Sequence, residues 1–224
     1  RRPAVALSVA GSDPSGGAGI QADLKTFHAV GVYGTAAMTA LTSQNTTGVR
    51  GVHPVPADFA VSQVEAVLDD LPVDAVKTGM LGQAEVVEAL AQLFRRRRTQ
   101  LGTLVVDPVM VATSGDRLLE PEAEQAMIRF CSLATVVTPN IDELAVLTGD
   151  AGGLAQGVDQ GPVAVSEAVE RALERVRRRR HDVEFDVAPG ETVRFVLEGA
   201  EGAGTPVCSE VFKIPLAAPP ATKS

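Results

Sequence analysis

The residues that could do chemistry begin in a glycine-rich run. Gly11-Ser12-Asp13-Pro14-Ser15-Gly16-Gly17-Ala18-Gly19 stands between an apolar stretch at 5–10 and an amphipathic stretch carrying Asp23 and Lys25. Glycines let a backbone approach a bound group with no Cβ in the way, so four of them at a strand exit suit a small-molecule site. One or two alone would be read as a flexible strand-to-helix turn. The spacing is not that of a P-loop, Gly-x-x-x-x-Gly-Lys-Ser/Thr, because Lys25 falls six residues after Gly19. Further along, Gln44, Lys77, Asp107, Asn140 and Glu143 offer amide, ammonium and carboxylate groups to a ligand.

Those residues need elements to position them. From residue 4 to about 147, short β-branched or apolar runs alternate with longer amphipathic stretches. This is the pattern of repeated βαβ units, and it predicts an α/β fold with a mostly parallel sheet and helices on both faces. Strands are expected at 5–10, 35–41, 75–78, 103–106 and 135–137, each near-continuous in apolar residues. Helices are expected at 19–30, 58–71, 83–98, 121–131 and 141–148, with Asp58 as an N-cap and Gly31 as a stop. Ser12 and Asp13, residues 42–45, residues 77–80, Asp107 and residues 138–140 then all fall at carboxyl ends of strands. That edge is where open α/β sheets bind ligands. Taken singly, Ser12, Thr138 and Asn140 are explained equally well as helix caps.

Composition narrows the function classes. At 224 residues and 45% apolar content the chain can bury one sizeable core, as a single domain. Twenty basic against 28 acidic residues, net −8, argue against nucleic acid or an anionic membrane as the main partner. Cys131 and Cys208 stand apart with no metal-like spacing, which fits a reduced cytoplasmic protein; one disulfide in a secreted chain is the alternative. The apolar run before the glycines is too short for a signal peptide or a membrane span.

Beyond residue 150 the character changes. Residues 151–162 are glycine-rich and expected as a loop, and 163–180 are expected as one charged amphipathic helix. Residues 183–187, 192–197 and 207–214 alternate at period two as strands, and 215–224 resemble a disordered tail. The arginine runs at 95–98 and 177–180 sit at expected helix ends, where positive charge complements the dipole.

A family resemblance follows from the motifs taken in order. The glycine run leads through Lys25-Thr26-Phe27 and Gly31-Val32-Tyr33-Gly34 to Ala40-Leu41-Thr42-Ser43-Gln44-Asn45-Thr46. Lys77-Thr78-Gly79-Met80-Leu81, Val106-Asp107-Pro108-Val109-Met110, Ser114-Gly115 and Thr138-Pro139-Asn140-Ile141-Asp142-Glu143-Leu144 come next. Over residues 4–150 the chain resembles the bacterial hydroxymethylpyrimidine/phosphomethylpyrimidine kinases of thiamine biosynthesis, in the ribokinase-like superfamily. The resemblance implies a ribokinase-like three-layer αβα fold over 1–150, with 151–224 as an atypical segment of the same domain. It implies ATP as co-substrate, Mg²⁺, a small-molecule aminopyrimidine substrate and a homodimer.

By the same resemblance the aminopyrimidine ring lies against Gly11, Asp23, Gln44, Met80 and Val109. Gln44 can offer both a donor and an acceptor to such a ring, ionised Asp23 accepts only, and Met80 supplies a polarizable wall. Asn140 and Lys77 are implied at the nucleotide phosphates, and Asp107 and Glu143 near the metal, as a hard-oxygen set suited to Mg²⁺. Locally, Asn-x-x-Glu is also what an N-cap with a first-turn acid produces.

The family's Lys-Gly-Gly-His-like and Gly-Thr-Gly-Cys loops have no match in this chain. The nearest fragment is Gly202-Ala203-Gly204-Thr205-Pro206-Val207-Cys208. Read as that loop, it puts Cys208 at the position of the catalytic base; read locally, it is a turn entering a strand. An inactive aminopyrimidine-binding or regulatory protein and a pyridoxal kinase are the alternative functions.

Overall fold

The computed structural model describes residues 2–110, 119, 123–148, 192–195 and 212–215. By its own contacts the chain divides into two units, residues 1–134 and 135–224. The first unit runs β1 (Val5–Ala10), α1 (Gly19–Ala29), β2 (Tyr33–Met38), β3 (Ala40–Asn45), β4 (Gly48–Pro54), α2 (Ala57–Asp70), β5 (Ala75–Thr78), α3 (Ala84–Arg96), a 3-10 turn (Arg98–Gln100), β6 (Thr103–Val106) and α4 (Glu124–Cys131).

Its sheet is wholly parallel. β1 lies between β2 and β5, and β5 pairs with β6, giving the order β2-β1-β5-β6. The connection from β1 to β2 steps one way along the sheet, and those leading to β5 and β6 step the other way. Right-handed crossovers therefore put α1 on one face and α2 and α3 on the opposite one. Burial follows this division. Leu7, Val9, Val76, Thr78, Leu104 and Val106 share one face and are each 0% exposed. The alternate residues Lys77 and Val105 are only half-buried.

Helix α3 seals the covered face with Val86, Val87, Leu90, Leu93 and Phe94, and the Phe94 ring stands 5.7 Å from Phe130 of α4. The arginines at its C-terminal end pair outward: Arg97 with Asp69 at 2.9 Å and Arg96 with Glu65 at 3.8 Å, while Arg98 donates to the Leu133 carbonyl at 2.9 Å. They act as helix-end charges, as their position in the sequence suggests.

Helix α1 stops at Gly31, which has φ +76°. The Gly31 amide donates to the His28 carbonyl at 3.1 Å and the Val32 amide to the Phe27 carbonyl at 2.8 Å, closing a Schellman motif.

Two expectations for the first unit are corrected. The strand expected at 35–41 is two strands, because the chain turns at the buried Thr39 between β2 and β3. The Thr39 amide donates to the Ala10 carbonyl at 3.1 Å and its hydroxyl to the Met80 carbonyl at 2.5 Å. β3 then leaves the sheet and forms an antiparallel ribbon with β4. Asp58 is not the N-cap of α2: that helix begins at Ala57 behind Pro56, and the Asp58 carboxylate accepts from the Phe59 amide at 2.8 Å.

The second unit contains β7 (Val136–Val137), α5 (Ile141–Thr148), β8 (Thr192–Phe195) and β9 (Phe212–Pro215). β7 and β8 pair in parallel, β8 and β9 antiparallel. Pro215 closes β9 rather than opening a tail. The loop, helix and strand expected at 151–162, 163–180 and 183–187, the fragment 202–208 and residues 216–224 lie outside the described residues.

Candidate active site

In the first unit, parallel register brings three strand exits to one edge, since Val9 pairs with Thr78 and Thr78 with Val106. Backbone bonds tie the exits together. The Gly79 amide donates to the Val9 carbonyl at 3.0 Å, the Asp107 amide to the Thr78 carbonyl at 3.0 Å, and the Gly11 amide to the Met80 carbonyl at 3.1 Å. The β3–β4 ribbon is tied to the same edge at its base. The Ser12 amide donates to the Ala40 carbonyl at 2.9 Å, and Thr42 returns a bond from its amide to Ser12 Oγ at 3.1 Å and one from its hydroxyl to the Ser12 carbonyl at 2.8 Å.

The glycine loop folds around a carboxylate of its own. Asp13, 2% exposed, accepts from the Ser15 amide and hydroxyl, and from the amides of Gly17 at 3.0 Å and Ala18 at 2.9 Å. Burial pushes the Asp13 carboxyl up, but the Ser15 hydroxyl and the amides of Ser15, Ala18 and Gly17 together outweigh it and hold the carboxyl below its ordinary value. Gly19, at φ +57°, lies so close to the Gly11 carbonyl that a Cβ there would collide with it. A Cβ on Gly11 would collide with the terminal methyl of Met80, the far end of a flexible side chain. Lys25 turns back on the loop, donating to the Gly16 carbonyl at 2.9 Å.

Behind this loop a charged cluster spans the less covered face of the sheet. Lys77 Nζ stands 3.2 Å from both oxygens of Asp23 and 3.7 Å from Asp107 Oδ2. Asp23 Oδ2 also accepts from the buried Ser8 hydroxyl at 2.6 Å. The register that pairs Ser8 with Lys77 is what lets both reach one carboxylate on α1. Gly79 leaves room for the ammonium, since a Cβ there would lie 3.1 Å from Lys77 Nζ. Lys77 thus links two carboxylates that come from different elements, Asp23 on α1 and Asp107 at the exit of β6.

The other expected site residues are distributed as follows. Gln44 lies on β3 next to a bulge, half-buried, and its side-chain amide has no partner among the described residues. Met80 and Val109 are half-buried at the exits of β5 and β6. In the second unit Asn140 and Glu143 bond each other reciprocally: the Asn140 amide donates to Glu143 Oε2 and the Glu143 amide to Asn140 Oδ1, both at 2.9 Å. This is a capping box at the start of α5. Cys208 lies outside the described residues. Among those residues no group of three or more His, Cys, Asp or Glu gathers as a metal site. No helix among them is long and apolar enough to cross a membrane.

Ser8 and Thr39 organise the site without having stood out as functional in the sequence. For Asp13 a signal was present, since Asp-Pro-Ser is a turn in which the Asp side chain bonds the amide two residues on.

The family model described as phosphomethylpyrimidine kinase matches residues 13–174. The hydroxymethylpyrimidine/phosphomethylpyrimidine kinase of Rhizobium meliloti (strain 1021) is 55% identical over 149 residues, which are 66% of this chain and 55% of that protein. Among solved structures, the phosphomethylpyrimidine kinase from Clostridium difficile 630 superposes with a TM-score of 0.70 at 35% identity, covering 95% of this chain and 80% of that one. The pyridoxal kinase from Staphylococcus aureus, in complex with AMP-PCP and pyridoxal, gives a TM-score of 0.66 at 32% identity, covering 90% and 64%. The chain spans about half the length, or less, of the curated relatives it matches.

Proposed function

Because the chain belongs to the phosphomethylpyrimidine kinase family and has its ribokinase-like α/β fold, we propose that it transfers the γ-phosphoryl group of ATP to the hydroxymethyl group of 4-amino-5-hydroxymethyl-2-methylpyrimidine. A second transfer to the resulting monophosphate completes its part in thiamine biosynthesis. The observation that carries this reading is the gathering, at one sheet edge, of the half-buried Met80 and Val109, the Asp23–Lys77–Asp107 cluster and a ribbon bearing Gln44, whose side-chain amide has no partner among the described residues. Gly11, Met80 and Val109 line the ring's faces. Gln44 pairs with the ring's polar edge, and Asp23 accepts from its amine or its hydroxymethyl group. Phosphoryl transfer needs mainly positioning and charge neutralisation, and the Lys77 ammonium contributes to both.

Mg²⁺ is the divalent ion of this reading, and hard carboxylate oxygen is the donor chemistry it prefers. Asp107, a quarter exposed at a strand exit, supplies one carboxylate of the one or two that Mg²⁺ ordinarily takes. The ion, when bound, neutralises charge on the phosphates. Cys208 takes the hydroxymethyl proton in this reading. A cytoplasmic location and a homodimer belong to it as well.

The test is calorimetric titration of the purified chain with the aminopyrimidine, then with ATP and Mg²⁺, and an assay for phosphorylated product. Binding of both with turnover is the expected result. Ring binding with neither nucleotide binding nor product would replace the kinase with an aminopyrimidine-binding protein. Pyridoxal phosphorylated faster than the pyrimidine would replace the substrate.

A further inference from the structure

Asp13 has no part in the chemistry above, yet its carboxylate is among the most fully bonded groups at the site. We propose that Asp13 is a positioning residue: its carboxylate is the built-in anion of the glycine loop, and by filling the loop's amide cradle it fixes Gly11, a wall of the ring site. This deepens the pyrimidine reading and rests on it.

Three backbone amides and one hydroxyl converge on the two Asp13 oxygens, at 2.9 Å from Ser15 N, 2.8 and 2.9 Å from Ser15 Oγ, 3.0 Å from Gly17 N and 2.9 Å from Ala18 N. The loop amides lie just ahead of α1, where a helix start favours negative charge. Gln21, in the first turn of α1, accepts from the Asp13 amide at 2.8 Å, so loop and helix hold each other. From there a short chain of bonds reaches the ring site. The Ile20 amide donates to the Gly11 carbonyl at 3.0 Å, and the Gly11 amide donates to the Met80 carbonyl at 3.1 Å.

A glycine-rich loop at a helix start would ordinarily be assigned to a phosphate. In this loop the amides of Ser15, Gly16, Gly17 and Ala18 are already taken by Asp13 and the charge already supplied. An incoming phosphate would find Asp13 in its place, so the phosphates of a nucleotide are held elsewhere and this loop serves the ring.

Asp13→Gly empties the cradle and leaves it open to a small external anion. The thermal midpoint of this variant would be measured against sodium formate and against sodium chloride at matched ionic strength. Affinity for 4-amino-5-hydroxymethyl-2-methylpyrimidine would be measured by calorimetry in the same buffers. The midpoint is expected to rise saturably with formate and not with chloride, while the unsubstituted chain shows no formate-specific response. Ring affinity should fall tenfold or more and recover severalfold at saturating formate. A midpoint indifferent to formate, or affinity that formate does not restore, overturns the inference.

Asp13→Asn keeps the volume and one acceptor oxygen, and covers the case in which the glycine variant does not fold. It should bind the ring at least fivefold more weakly while remaining folded, and affinity within twofold of the unsubstituted chain overturns the inference alone. An unsubstituted chain that does not bind the ring overturns the functional reading and, with it, the positioning role.

Discussion

Lys77→Met tests whether the charged cluster is held together by its cation. Lys77 meets both oxygens of Asp23 at 3.2 Å, and the two side chains are 26% and 17% exposed. An exposed pair would be worth about 0–1 kcal/mol, and breaking a fully buried one about 3–5 kcal/mol. This pair lies between those regimes, and hydrogen bonds to charged groups contribute about 1.5–3 kcal/mol. The substitution is therefore expected to cost about 2 kcal/mol, roughly a thirtyfold change in the unfolding equilibrium. Asp23→Asn alone should cost a similar amount, since it strands the ammonium beside Asp107 only. The double variant removes both charges and leaves the Ser8 hydroxyl a neutral partner, so it should be better than the sum by about 1–2 kcal/mol. Urea unfolding of the four proteins at neutral pH measures this coupling. Additivity within about 0.5 kcal/mol would mean that the two groups do not interact, and the cation would then have no part in holding the cluster together.

Three further outcomes are expected. Gly11→Ala should displace the Met80 methyl at a stability cost of no more than about 1 kcal/mol and weaken ring binding, whereas Gly19→Ala, at φ +57° against the Gly11 carbonyl, should cost about 2 kcal/mol or more; equal stability losses in denaturant unfolding would contradict the geometry. Gln44→Leu should leave a polar edge of the ring unpaired and weaken its binding by about 1–3 kcal/mol, and unchanged calorimetric affinity would remove Gln44 from the site. Asp74 is pulled down to about 2 by the Arg2 guanidinium, which donates to it, and by the Val5 amide, against a small opposing effect of burial. Its folded value lies below its unfolded one of about 3.9, so its contribution is complete above about pH 4 and is lost as pH falls through about 2. The stability difference between the unsubstituted chain and Asp74→Asn should shrink over that interval, and a difference that grows on acidification would refute the assignment.

Much of the first unit's fold was legible because its inner strands are rich in buried apolar residues. The runs at 5–10, 75–78 and 103–106 coincide with β1, β5 and β6, since Leu7, Val9, Val76, Leu104 and Val106 are fully buried there even though Lys77 is only half-buried. The break at Thr39 was not legible, because no turn residue marks it and its partners, Ala10 and Met80, are far away in sequence. β4 was missed for a different reason: most of its residues are exposed, so Gly48–Pro54 carries no hydrophobic period. At the candidate site, the polar segments at strand ends followed from the alternation of elements, while the ligand roles of their residues are what the family resemblance implies. The ion pair of Lys77 with Asp23 could not, because the partners are 54 residues apart and meet only through the register of β1 with β5.

The ribbon formed by β3 and β4 has a consequence for dynamics. It is bonded to the sheet's edge at its base, through Thr39, Ala40 and Thr42, while Leu41 and Val52 stay 46% and 48% exposed. A two-stranded ribbon is marginally stable by itself, and beyond the buried Ala40 its residues are half-buried or exposed, so its free energy of opening is set largely by its own few cross-strand bonds. Amide protons beyond Thr42 should exchange with solvent through local fluctuations while those of β1 wait for global unfolding. The segment bearing Gln44 can thus part from the edge and return at little thermodynamic cost to the rest of the molecule.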